Sequence, residues 1–268
     1  MAFNKNELVL DRVRSLAAHD LADGKMLFRL TQLEEPSLAC TAEGEEVTDA
    51  VGALITTLYR SKRATFSATN SLISLDLAAA QYGAKKEVAG ETEGVDTITD
   101  YAYDIIEIEN GQAKLKSLPE GATLDVDSIK YIYSVVNGEA STAYEVGDAV
   151  DATTFTVAAD GTITVPTDLT GKIYVEYEFE TASAVRIVNR ASQFPESCSV
   201  VIYAYFRDVC NDNIVYSGKI ICPKAKLNPE SVELALTSTG KHAFELTMMK
   251  DYCAGEDDDT LFTIIVSE

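Results

Sequence analysis

The chain has 268 residues, of which 46% are hydrophobic and 24% charged, with 43 acids against 22 bases and a formal net charge of −21. That composition suits a globular protein with a buried core and excludes a disordered chain. It also speaks against nucleic acid as a ligand, because polyanion binding requires many Lys and Arg side chains to displace counterions.

The opening stretch MAFNKNELVLDRVRS has no apolar run leading to a small-residue cleavage site, and no later run reaches the ~18 apolar residues of a membrane span. The expectation is a protein made and kept in a cytoplasm, without a membrane partner. KMLFRLTQL (25–33) and ALITTLYR (53–60) read as strands. Arg60, Lys62 and Arg63 follow within four positions, a concentration of positive charge in a strongly acidic chain. They close the second of these strands and lead through ATFSATN, which predicts a place in or beside a loop at a domain edge. SLISLDLAAAQY (71–82) reads as a short helix, with Asn70 as its N-cap and Gly83 as the left-handed residue that ends it.

KKEVAGETEGVD (85–96) reads as a polar linker, and beyond it the texture changes. Asn110-Gly111, Asn137-Gly138 and Asp160-Gly161 are hairpin signals, each between short β-like runs. They separate YDIIEI from QAKLKSL, IKYIYSVV from EASTAYEV, and TFTVA from TITVP. KIYVEYEFE (172–180) alternates Ile173, Val175, Tyr177 and Phe179 on one face with Lys172, Glu176, Glu178 and Glu180 on the other. Residues 100–180 hold 16 acids and 4 bases, a net charge of −12, which leaves −9 for the rest of the chain. The division expected is a β domain from residues 1–99 and 181–268, with 100–180 as an inserted antiparallel module. CSVVIYAYFR (198–207) is apolar on both faces, as in a strand covered on both sides. NIVYSGKIIC (213–222), SVELALT (231–237), AFELTMM (243–249) and LFTIIVS (261–267) continue the strand pattern.

Chemistry is hard to find in this pattern. Cys40, Cys198, Cys210, Cys222 and Cys253 lack the close pairs of a zinc site and read as buried thiols. The even intervals from Cys198 to Cys210 to Cys222 fit opposed positions on neighbouring strands. His19 and His242 have no nucleophile motif beside them and read as surface or core-edge residues. GEDDDT (255–260) lacks the spaced ligand order of a calcium loop and reads as a solvated turn. The expectation is no enzyme, no cofactor and no metal.

Three stretches carry a resemblance. EEVTDAVGALITTLYRSKRATFSATNSLISLDLAAAQYGAKKE (45–87), the hairpin-rich region closing on GKIYVEYEFET, and residues 193–253 from QFPESC to MMKDYC are similar to tail tube (major tail) and related virion structural proteins of long-tailed bacteriophages. The similarity runs over most of the chain from about residue 25. It implies a mainly β fold, a sandwich or barrel with a flanking short helix and an inserted immunoglobulin-like or hairpin module. It further implies subunits that form homo-hexameric rings, stacked into a hollow tube through which DNA passes without specific binding. Sheath, baseplate and head–tail connector proteins are then partners, and the virion tail, assembled in the host cytoplasm, is the location. An acidic wall would repel DNA phosphates.

Other readings are a capsid decoration or head–tail completion protein, a carbohydrate- or receptor-binding β module, and a hydrolase with a scattered active site. A ring of like-charged subunits must offset repulsion at its seams. Arg60, Lys62 and Arg63 are therefore the candidate subunit-interface residues, docking on an acidic surface of the next copy.

Overall fold

Alternation of apolar and polar residues builds most of the chain into strands. The computed structural model describes residues 7–209, 211, 213–229, 232, 234, 240–252 and 259–267. In chain order these form β1 (Leu8–Asp20), β2 (Met26–Leu30), β3 (Leu33–Thr48), β4 (Leu54–Asn70), helix α1 (Leu75–Tyr82), β5 (Lys86–Val88), β6 (Ile98–Glu107) and β7 (Gln112–Lys114). There follow β8 (Thr123–Asp125), β9 (Tyr131–Val136), β10 (Glu139–Val146), β11 (Thr154–Val157), β12 (Thr162–Thr164), β13 (Lys172–Thr181) and β14 (Val185–Ile187). The chain closes with β15 (Ser197–Asp208), β16 (Val215–Leu227), β17 (His242–Met248) and β18 (Thr263–Ser267). Two compact units result, one from Met1–Lys86 with Ile187–Glu268 and one from Glu87–Arg186.

The larger unit is one antiparallel sheet in the order β2-β1-β15-β16-β17-β4-β3, with β18 on the first half of β16. β16 is long enough to serve two neighbours: Ser217–Ile221 pair with β18 and Ala225–Leu227 with β17. The period of two turns Cys198, Val200, Ile202 and Ala204 of β15 inward, and likewise Phe244, Leu246 and Met248 of β17 and Phe66 of β4. With Leu16, Phe28, Leu30 and Leu77 they form the core of this unit. The opposite face of β15 departs from expectation. Val201, Tyr203 and Tyr205 are only half-buried, and at Tyr205 the cover is long side chains, with the Arg12 and Arg14 guanidiniums 5.6 and 5.7 Å from its ring centroid. Of SVELALT only Val232 and Leu234 are described, so the strand expected there lies outside the described residues.

The helix starts later than its sequence suggests. Ser74 is the N-cap, its hydroxyl accepting from the Leu77 N–H at 3.3 Å, and α1 begins at Leu75. Asn70 is instead the buried last residue of β4, paired with Leu33 and His242, and its amide donates to the Leu72 carbonyl. The sheet takes the backbone of Asn70 before a helix can use it, and Ser71 N–H also bonds across to Gln32 O. Gly83 ends the helix as expected, at φ 63°. A Cβ on Gly83 would lie 2.2 Å from the Phe194 carbonyl oxygen. Gly83→Ala combines left-handed strain with this collision and is expected to cost about 2–4 kcal/mol. A thermal melt followed by far-UV circular dichroism measures it, and an unchanged midpoint would show that the Phe194 segment yields freely.

The smaller unit is a sheet in the order β6-β13-β9-β10-β11-β12-β7, with β8 on β13. Its core includes Ile106, Leu124, Ile132, Phe155, Ile163, Ile173, Val175, Tyr177 and Phe179. The Asn-Gly turns form where the residue pairs demand them, with positive φ at Asn110 (52°), Gly111 (75°), Asn137 (54°) and Gly138 (88°). Asn137-Gly138 joins β9 to β10, and the turn at Gly161 joins β11 to β12. The first turn does not make a hairpin of its flanking runs: β6 pairs with β13, and β7 with β12. The ends of the strand path, β6 and β7, meet through that turn and the Glu109–Gln112 bridge, so the sheet nearly closes into a barrel. One pair, β10 with β11, is parallel, an exception to the antiparallel module expected. KKEVAGETEGVD is not a bare linker but a hydrogen-bonded turn: Thr92 Oγ1 accepts from Val88 N–H at 2.8 Å, Gly90 N–H bonds Val95 O, and Ala89 is buried. β5 and β14 pair with each other, and Arg186 bridges Glu87 at 2.7 Å.

Candidate functional site

β3 and β4 are the longest strands, at 16 and 17 residues, and only their inner halves contribute to the core. From Ala64 onward β4 alternates buried and half-buried positions, with Ala64, Phe66, Ala68 and Asn70 inward. Before Ala64 the alternation stops. Most residues of 41–63 are exposed whichever way they point, so the outer halves form a two-stranded ribbon, an arm, uncovered on both faces. Asp49 shapes its tip by accepting from the N–H groups of Val51 and Ala53 at 2.9 and 2.7 Å, with Gly52 at φ 87°. The arm carries apolar side chains into solvent: Val51 is 88% and Tyr59 74% exposed, and Leu54, Ile55 and Leu58 are exposed as well.

Arg60, Lys62 and Arg63 lie inside β4, in this arm, and not in a loop. The loop expectation fails because the strand read at 53–60 does not end at Arg60 but runs on to Asn70, and a ribbon exposed on both faces has no alternation to mark where it continues. Its pairing comes from backbone bonds to β3, which sets Arg60 opposite Glu43 and Arg63 opposite Thr41. A bulge between Thr41 and Glu43, with Ser61 at φ 53°, interrupts the ladder within the cluster. Arg60 also reaches Glu45 at 3.6 Å, but both side chains are about two-thirds exposed, so the pair contributes little. Among the described residues, Lys62 and Arg63 form no ion pair. The arm thus offers two uncommitted cations beside exposed apolar groups. Sequence reasoning found the cations and missed the apolar side chains, whose signal was a β-rich run with no alternation on either side of Asp49–Gly52.

The other candidate groups are dispersed. His242 is wholly buried in β17, not at a core edge, with Nε2 against Gln81 Oε1; burial pushes its pKa down. His19 is half-buried near the end of β1. Cys198 and Cys222 are buried on adjacent strands, and burial raises their thiols to about 12 and about 11, far from reactive. Cys40 is exposed, contrary to expectation, because it lies where β3 leaves the core. Cys210, Cys253 and most of GEDDDT lie outside the described residues. Among the described residues no three His, Cys, Asp or Glu side chains gather as a metal site.

The chain is thus almost all β, with a nearly closed sheet in the smaller unit and a long uncovered arm on the larger one. The profile of the YomU/Tube protein family matches residues 8–260, and the chain belongs to that family. No curated protein is similar enough in sequence to count as a relative. The resemblance read from the sequence therefore holds at the level of a phage tube-like virion protein.

Proposed function

We propose that the protein is the subunit of the tail tube of a long-tailed phage. Copies assemble as hexameric rings that stack into a hollow tube for genome passage, with sheath, baseplate and connector proteins as further partners. Met1–Lys86 with Ile187–Glu268 form the wall, and the unit Glu87–Arg186 is an added module. The observation that carries this reading is the arm. A two-stranded ribbon alone is marginal in water, and this one exposes Val51, Leu54, Ile55, Leu58 and Tyr59 together. A second copy that accepts the arm would bury these side chains and add strand pairing or packing that the monomer lacks. Lys62 and Arg63 would then meet the acidic surface that every neighbouring copy presents, which sets register as well as attraction.

Negative-stain imaging and light scattering of the purified chain test the proposal. Rings or tubes of uniform diameter are expected at high concentration, and a strictly monomeric protein across concentration and salt would overturn it. Replacing Arg60, Lys62 and Arg63 by Glu is expected to block assembly while the circular dichroism spectrum stays native. Assembly of the unaltered chain should weaken with salt, since ~0.15 M ionic strength screens exposed charges beyond about 8 Å. Assembly of the triple variant at the parent's level would leave the cluster only a solvated part of the arm.

A further inference from the structure

Strand register in the smaller unit gathers tyrosines that are far apart in sequence. On the outward face of β6, β13 and β9, Tyr174 stands opposite Ile105 on one side and Tyr133 on the other, while Glu176 stands opposite Tyr103 and Glu178 opposite Tyr101. The ring centroids of Tyr103 and Tyr174 are 5.8 Å apart and those of Tyr174 and Tyr133 6.3 Å, a continuous aromatic run across three strands. Tyr101 and Tyr131 extend it along the outer strands. Exposure is high: 72% for Tyr101, 63% for Tyr103 and 50% for Tyr131. Between the rings and the carboxylates runs a shallow depression of about 370 Å³, lined by Tyr101, Tyr103, Ser128, Glu176 and Glu178.

Tyrosine is at home on a strand surface, and cross-strand ring pairs stabilise a sheet. That accounts for Tyr133, Tyr174 and Tyr103, which pack on one another. It does not account for Tyr101 and Tyr131, which lie beyond the packed run and expose apolar ring area without burying it. Five tyrosines on one face, out of 13 in the chain, form a patch of the kind that marks binding.

We infer that this face is a binding site for a neutral glycan. The occupant follows from charge and shape. Residues 87–186 carry 20 acids and 5 bases, a net charge of −15, which repels nucleic acid, acidic polysaccharide and anionic lipid alike. The carboxylates only accept hydrogen bonds, so a ligand that brings donors satisfies them. A cation is held best where rings enclose and desolvate it, whereas Tyr101, Tyr103 and Tyr131 stand half-exposed or more on an open sheet. A sugar chain matches both features. Its C–H groups can pack on the exposed rings of Tyr101 and Tyr103, and its hydroxyls can donate sideways to Glu176 and Glu178. Glu176 already accepts from the Tyr174 hydroxyl, which holds it at the rim of the depression. This inference stands apart from the tube reading, because it concerns only the smaller unit.

Affinity electrophoresis of the full chain through gels containing soluble neutral polysaccharides of gluco-, manno- and galacto-configuration tests it, with a sulfated polysaccharide as the anionic control. Retardation by at least one neutral polysaccharide is expected, with none by the sulfated one. Tyr101→Ala combined with Tyr103→Ala should weaken the apparent affinity about tenfold, and so should Glu176→Gln combined with Glu178→Gln. The melting midpoint should fall by no more than a few degrees, since the first pair gives up one cross-strand ring contact, of Tyr103 with Tyr174, and the second changes side chains on the outward face. Tyr101→Phe combined with Tyr103→Phe keeps the stacking rings and should keep most of the retardation. No retardation by any neutral polysaccharide, or equal retardation of parent and both multiple variants, would overturn the inference. So would a face that binds a lysine-rich peptide or a second copy of the chain while ignoring sugars.

Discussion

Replacing residues 42–62 by an Asn-Gly turn is expected to yield a soluble, folded protein that no longer forms rings or tubes. Thr41 and Arg63 are directly opposed in the β3–β4 ladder, so a two-residue turn can close the shortened hairpin without shifting register. The deletion removes side chains that are nearly all exposed and contribute nothing to the core of Leu16, Phe28, Phe66, Ile202 and Leu246. Its melting midpoint should therefore stay within a few degrees of the parent's, since surface changes away from core features are worth about ±0.5 kcal/mol. Assembly, in contrast, should be lost outright, because the deletion removes the exposed apolar groups together with Arg60 and Lys62. Tubes of normal diameter from the shortened chain would remove the arm from the assembly mechanism. The triple charge reversal separates electrostatics from the rest: if it assembles and the deletion does not, the apolar side chains carry the contact.

Asp104→Ala is expected to be the most damaging single change in the smaller unit. The carboxylate is buried and accepts from the Lys116 N–H at 2.8 Å, the Ser117 N–H at 3.0 Å, the Ser117 hydroxyl at 2.8 Å and the Tyr177 hydroxyl at 3.1 Å. It ties the segment after β7 to the inner face of β6 and β13. Removing it leaves several donors without an acceptor, at a cost of about 3 kcal/mol or more. Burial alone would raise the pKa of Asp104, but the hydrogen bonds from Ser117, Lys116 and Tyr177 outweigh it and hold the carboxyl below its ordinary 3.8. A depressed carboxylate contributes stability that is present above the unfolded-state pKa and is lost as pH falls through the lower folded value. The stability gap between parent and variant should accordingly be full at pH 7 and shrink below about pH 4. Urea unfolding followed by far-UV circular dichroism at both pH values measures it. A gap of equal size at pH 7 and pH 3 would mean that the charge of Asp104 plays no part.

The same sequence rules that located many strands failed at identifiable places. KIYVEYEFE read correctly because one face of β13 is buried, and burial writes a period of two into the sequence. Asn137-Gly138 read correctly because a turn with positive φ at both central residues selects those two side chains locally. Asn110-Gly111 has the same chemistry and the same backbone, yet its flanking runs pair elsewhere, since a turn dictates reversal and not the partner. Asn70 has the composition of a cap and lost that role to Ser74, because sheet pairing with His242 and Leu33 claimed its backbone first.

What the sequence by itself determined is the mainly β class, the turn positions, the core face of β13, the Gly83 helix end, and the concentration of positive charge at Arg60, Lys62 and Arg63. Each is a local property, written by burial, by backbone dihedral preference or by charge. Only the tertiary structure decided that the basic residues ride on a doubly exposed arm, that Asp104 finds Lys116, Ser117 and Tyr177, and that tyrosines at 101, 103, 131, 133 and 174 share one face. These depend on which strand pairs with which, and in what register. The backbone hydrogen bonds that make those pairs are the same for every residue type, so the side chains they bring together leave no periodic trace in the chain.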